Sequence, residues 1–112
     1  QTSHLDCELE PGAGDEEYLA GLERLLEGIP ASRRFDVAYV LAGADPFEGD
    51  TLGGLAVSRE GLAEHDRRVF GFCRDQGWPV ALTMAGGYAA NIRDIAEIQA
   101  STVETARELW AA

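Results

Sequence analysis

The chain has 112 residues, with 20 Asp plus Glu against 9 Lys plus Arg, and so carries a formal charge of −11. A length of this order allows one domain, which hides roughly two-thirds of the surface its unfolded chain exposes. With 46% hydrophobic and 26% charged residues the composition is that of a globular protein, not a disordered one. The acidity excludes a nucleic-acid backbone as direct partner, because that affinity comes from basic side chains that displace counterions. Every basic residue is Arg, and the absence of Lys excludes Schiff-base chemistry and lysine-gripped phosphates.

No stretch approaches the length of a bilayer span, and Gln1, Thr2, Ser3 and His4 lack the basic and apolar regions of a signal peptide. A cytoplasmic chain without membrane attachment is expected. Cys7 and Cys73 are too few for a disulfide framework and too far apart for a paired-ligand motif, so both are read as buried thiols.

The segments alternate strand, helix, strand, helix, strand, helix. Leu5 to Leu9 reads as a short strand, Pro11 to Gly14 as a turn, and Asp15 as the cap of a first helix. Tyr18, Leu19, Leu22, Leu25, Leu26 and Ile29 recur at three and four residues and form its apolar face. Gly28, as a left-handed cap, and Pro30 end it. Phe35 to Ala42 is almost continuously apolar, which suits a strand covered on both faces, as parallel strands are. After a glycine-rich stretch, Ser58 caps a second helix that faces Leu62, Val69, Phe70 and Cys73 inward and stops at Gly77. Val80 to Met84 is a third strand, with Pro79 at its start. The last helix begins near Asn91, with Asp94 completing a capping-box variant, and buries Ile92, Ile95, Val103, Ala106 and Leu109. Such alternation implies right-handed crossovers and a parallel sheet, whose ligands gather beyond the carboxyl ends of the strands.

Two loops occupy that edge. Asp45 lies three residues past Ala42, and Tyr88 four past Met84. Asp45, Glu48 and Asp50 are three carboxylates within six positions, flanked by glycines. They suit either a cation site or a polar loop in which Asp45 and Asp50 hold turn amides; the calcium-loop spacing does not match. Gly86 and Gly87 followed by Tyr88 read, by themselves, as a tight turn with the tyrosine capping a hydrophobic edge. His4 sits in a terminus without pattern, and His65, between Glu64 and Asp66, is assigned to a solvated helix face. Catalytic zinc takes three protein ligands, and this chain offers one well-placed candidate, Asp45.

Taken in order, GADPFEGD, LGGLAVSREGL and TMAGGYAANIRDI resemble the C-terminal part of the histone deacetylase family, nearest to its compact bacterial and class IV-like branch. The likeness begins at LDCELEPGAGDEEYLAGLERLL and runs through nearly all of residues 1–112. It implies an arginase/deacetylase α/β fold in three layers around a parallel sheet, with this chain as the C-terminal part of a single domain. By the same resemblance Asp45 matches the second aspartate of an Asp, His, Asp zinc site. Tyr88 matches the tyrosine that polarises the substrate amide, and Gly86 and Gly87 match the glycine loop beside the acyl channel. The family's histidine pair and its Asp-x-His segment have no counterpart in this sequence, and Ala85 stands where many members have glycine.

The function implied is that of part of a zinc-dependent amidohydrolase acting on acetylated lysine or a related small acetylated amine, with this chain alone inactive. A second reading is an inactive α/β unit that self-associates into a homo-oligomer through an exposed sheet edge. A phosphoacceptor receiver domain ranks last, since it needs a lysine at a strand end.

Overall fold

The computed structural model describes residues 5, 7–29, 35–42, 47–48, 55–84 and 92–111. Three helices and two strands alternate along the chain: α1 (Asp15–Glu27), β1 (Ala38–Ala42), α2 (Arg59–Gln76), β2 (Val80–Met84) and α3 (Ile92–Ala111). The strands pair in parallel in the register Ala38↔Val80 to Ala42↔Met84. The architecture is therefore α/β with a small parallel sheet, as the alternation implied. Parallel register sets Ala38, Val40, Val80 and Leu82 on one face, towards the cleft that Ala106 and Trp110 of α3 help to line. Tyr39 and Leu41 occupy the other face and are 76% and 74% exposed. The apolar run reads as a strand covered on both sides, whereas Tyr39 and Leu41 leave one of its sides exposed.

Local signals define α2 and β2 fully. Ser58 is the N-cap of α2, its Oγ accepting from Gly61 N at 3.0 Å, and Gly77 closes the helix at φ 76°, where a side chain is disfavoured. Leu62, Phe70 and Cys73 are buried, as their spacing indicated. Trp78, also buried, then packs edge-on against Phe35 and Phe72 and anchors the approach to β2.

Other expectations are corrected. Residues 7–9 pair with no strand, and β1 begins only at Ala38. Gly28 ends α1 in the right-handed region, at φ −76°, so chain direction changes there without a left-handed residue. On α3, Ile92 is 81% and Val103 50% exposed, while Ile98, Thr102 and Thr105 are buried. The helix is thus rotated so that two threonines face inward, each able to return its hydroxyl to a partner.

Asp15 is the largest departure. Gly14, not Asp15, caps α1, its amide donating to Glu17 Oε2 at 3.2 Å. The Asp15 carboxylate crosses to α2 instead, where Oδ1 accepts from Ser58 N at 2.7 Å and Oδ2 from Ser58 Oγ. A second link runs from Ala56 N to Ala13 O at 2.7 Å. The two helix N-termini, each partly positive, thereby share one carboxylate. Below this junction lies the core of Phe47, Val57, Leu62 and Ile98, with Tyr18, Leu55 and Ile95 packed on it.

A polar chain crosses the helices beside that core. Thr102 Oγ1 of α3 donates to Asp66 Oδ2 at 2.6 Å, His65 Nδ1 donates to Asp66 Oδ1 at 3.1 Å, and Tyr18 of α1 stacks on the His65 ring with centroids 5.3 Å apart. His65 is therefore half-buried between helices and not on a solvated face. Burial, reinforced by the Asp66 carboxylate, pushes the Tyr18 phenol up to about 12.

This packing can be tested at two glycines and one phenol. A methyl at Gly61 would fall on the Asp15 carboxylate and come within 2.9 Å of Val57 Cγ1, whereas one at Gly71 meets nothing within 4 Å. Gly61→Ala is expected to destabilise by about 1–3 kcal/mol through overpacking, and Gly71→Ala to stabilise by up to about 1 kcal/mol through helix propensity. Thermal unfolding of the two variants should shift in opposite directions. For Tyr18, the folded value lies above the unfolded one near 10, so its stability contribution is complete below pH 10 and is lost as pH rises towards 12. Tyr18→Phe should flatten that alkaline loss in unfolding measured from pH 9 to 12; an unaltered slope would remove Tyr18 as its source.

Candidate functional site

Asp45, Gly86, Gly87 and Tyr88 lie outside the described residues, as does Asp50. What the structure does establish is the scaffold from which their segments depart. Because β1 and β2 are parallel and Ala42 is the register partner of Met84, the carboxyl ends of both strands lie side by side at one sheet edge. The segment with Asp45 leaves from one and the segment with Tyr88 from the other. In parallel α/β sheets this is the edge at which ligands bind.

The first segment lands on Phe47, two residues after Asp45. Phe47 is buried, bridges to Val57, and is followed by Glu48, whose amide donates to Val57 O at 2.9 Å. Glu48 itself is exposed. The second segment lands on α3, whose first turns carry Asp94 and Glu97. Both carboxylates accept from the guanidinium of Arg59, the first residue of α2, and Arg59 Cζ lies 6.0 Å from the centre of the Phe47 ring. Asp94 thus serves an ion pair with α2, a use that its capping-box spacing did not disclose. Arg59 carries no assignment from the sequence, and Asp15, expected as a helix cap, binds Ser58 instead. Both act on partners more than thirty positions away, so no local pattern discloses those partners.

Among the described residues no group of three or more His, Cys, Asp or Glu side chains can hold a metal ion. His65 is engaged by Asp66 and Tyr18. Cys73 is buried, and desolvation pushes its thiol up, which suits a packing residue and not a nucleophile. Cys7, expected to be buried, is only partly so, with Arg24 Nη2 3.3 Å from its sulfur; neither cysteine is in a disulfide. The donor set of these residues does not fit a zinc site by itself, and Asp45 would supply one ligand of the three that such a site needs. No described helix is long and apolar enough to cross a membrane.

Comparison with known proteins identifies the scaffold. Residues 1–106 match the model of the histone deacetylase domain. The chain is 36% identical over 110 residues to an uncharacterized protein of Picosynechococcus sp., covering 98% of this chain and 37% of that protein. It is 35% identical over 99 residues to histone deacetylase 2 of Arabidopsis thaliana, covering 87% of this chain and 24% of the relative, and 32% identical over 97 residues to histone deacetylase 5 of the same plant, covering 85% and 14%. The chain therefore spans little more than a third, or less, of the length of these curated relatives. On the domain match and these identities together, the chain belongs to the histone deacetylase family.

Proposed function

We propose that this chain forms the C-terminal part of a zinc-dependent deacetylase that hydrolyses acetylated lysine or a related small acetylated amine. The observation that carries the reading is the parallel register that sets Ala42 beside Met84, in a chain of deacetylase lineage. It gives the segments bearing Asp45 and Tyr88 a common point of departure. In this reading Asp45 is one ligand of a zinc ion whose other ligands come from residues this chain does not contain. A zinc ion held there would supply Lewis-acid polarisation of the amide carbonyl and activation of a water. Gly86 and Gly87 line the acyl channel. The Tyr88 hydroxyl donates to the carbonyl oxygen of the acetyl group and holds the negative charge that develops there as the tetrahedral centre forms. The bare face carrying Tyr39 and Leu41 is then covered by further strands and helices of the same domain, since parallel sheets are covered on both sides. Two unpaired thiols accord with a cytoplasmic setting.

Removing one oxyanion donor typically costs about 2.7–4 kcal/mol of transition-state stabilisation. Tyr88→Phe in the complete protein is accordingly expected to lower kcat a hundred- to thousandfold, as about two to three powers of ten follow from that range. Asp45→Ala is expected to lower bound zinc per protein, measured by elemental analysis, because it deletes a charged ligand. Turnover within a few-fold of the parent in the first variant, or unchanged zinc in the second, would remove the assigned role. The isolated 112 residues should show negligible hydrolysis of an acetyl-lysine substrate.

The exposure of Tyr39 and Leu41 favours a second reading for the isolated chain, an inactive unit that self-associates, through this apolar face of the sheet in place of the sheet edge the sequence suggested. Sedimentation equilibrium should then give a dimer mass that reverts to 12.1 kDa in Leu41→Glu. A parent chain that is already monomeric at high concentration would dismiss it.

A further inference from the structure

We infer that Arg59 is a positioning residue that joins Phe47, which follows the segment with Asp45, to the first turns of α3, which follow the segment with Tyr88, an assignment that rests on the deacetylase reading above. Each segment has two ends, and each end is held. Their starts are held together by the Ala42↔Met84 pairing. Their landing points, Phe47 for the first and the opening turns of α3 for the second, are held together by one guanidinium. Arg59 spans Asp94 and Glu97 with separate nitrogens, Nη2 and Nη1, while its Cζ lies over the Phe47 ring, 6.0 Å from the centroid.

The chemistry of the bridge needs arginine. A planar fork can take two carboxylates at once and still lay its face on an aromatic ring, whereas an ammonium is a compact point charge. Position matters as much as type. Arg59 directly follows Ser58, the residue clamped by Asp15, so the base of its side chain is fixed to the junction of α1 and α2. A strut between two landing points is only as stiff as its own foundation, and this one stands on the part-buried hydrogen bonds of that junction.

Arg59 is 44% exposed and Glu97 51%, so the ion pairs contribute little to global stability. Their contribution is to geometry. A reacting group displaced by about 1 Å can cost about a hundredfold in rate while the substrate stays bound as before. Loss of Arg59 should therefore appear in turnover and not in folding or substrate affinity.

In the complete protein, Arg59→Met is expected to lower kcat ten- to a hundredfold with KM within twofold of the parent and the unfolding midpoint nearly unchanged. Arg59→Lys should recover only part of the loss, and combining Arg59→Met with Asp94→Asn and Glu97→Gln should add little to it, since all three remove the same bridge. Arg107→Met, which breaks an ion pair to Glu104 further along α3, is the control and should leave kcat intact. Hydrogen exchange followed by mass spectrometry supplies a readout independent of activity: residues 47–48 and 92–97 should exchange faster together in Arg59→Met, with residues 15–27 unaffected. If Tyr88→Phe abolishes turnover but Arg59→Met changes neither kcat nor exchange, the positioning role is wrong and the deacetylase reading stands. If the complete parent protein does not turn over an acetyl-lysine substrate, the deacetylase reading is wrong, and exchange alone decides whether Arg59 joins the two landing points.

Discussion

The fold depends on the carboxylate of Asp15. Its two oxygens accept from both the amide and the hydroxyl of Ser58, and the Ser58 oxygen in turn accepts from Gly61, so three donors at the start of α2 are satisfied in one relay anchored on α1. A carboxylate between two helix N-termini is stabilised by both dipoles and by hydrogen bonds to its charged form. The relay also fixes where the stretch after β1 returns to the body of the protein. Val57, next to Ser58, is fully buried and pairs with Phe47, so the end of the Asp45 segment inherits its position from the α1–α2 junction. Gly61 is what allows the approach, since no β-carbon fits between the two helices there.

Whatever was local in the sequence was legible. Ser58 and Gly77 bracket α2 because capping is a matter of one side chain and one backbone conformation. Val80 to Met84 emerges as β2 without change because a short apolar run behind a helix stop has few alternatives. The failures share one cause, which is dependence on a distant partner. Leu5 to Leu9 has the composition of a strand but no neighbour within the described residues to pair with. Ile92 and Val103 satisfy the helical period yet face outward, because the inward stripe of α3 is set by Asp66 and Thr102 across the interface. His65 reads as a surface residue between two acids until Tyr18 of another helix covers it.

The candidate site divides along the same line. Spacing alone leaves the acidic loop open between a cation site and a set of turn bonds, and reads the glycine pair as a tight turn. Resemblance to a family, not periodicity, distinguished Asp45 and Tyr88, and the family itself is established by the domain match across residues 1–106. What the fold adds is the scaffold: two strand ends in register and two landing points joined by a guanidinium. The landing points could not have been read in advance. Arg59 lies 35 and 38 positions from its acidic partners, and an arginine after an N-cap is ordinary in any helix.

The choice of cation is part of how so acidic a chain holds together. With 20 carboxylates and 9 guanidiniums, one-to-one pairing leaves most acids uncompensated. Arg59 and Arg68 instead each engage two. Arg68 donates to Glu64 on its own helix at 2.9 Å and to Glu23 of α1 at 3.2 Å, as Arg59 does to Asp94 and Glu97 of α3. Hydrogen bonds from Arg68 and then Arg67 hold the Glu64 carboxyl below its usual range. The central helix α2 thus carries one forked cation towards each neighbour. Near α1 the fork adds to a junction already secured by Asp15, so its loss is shared with other interactions. Towards α3 the Asp66–Thr102 hydrogen bond lies in the buried interior, more than one helical turn away from Arg59 along α2. The Arg59 fork accordingly ties the first turns of α3 to α2, at the end of the helix nearest the proposed chemistry.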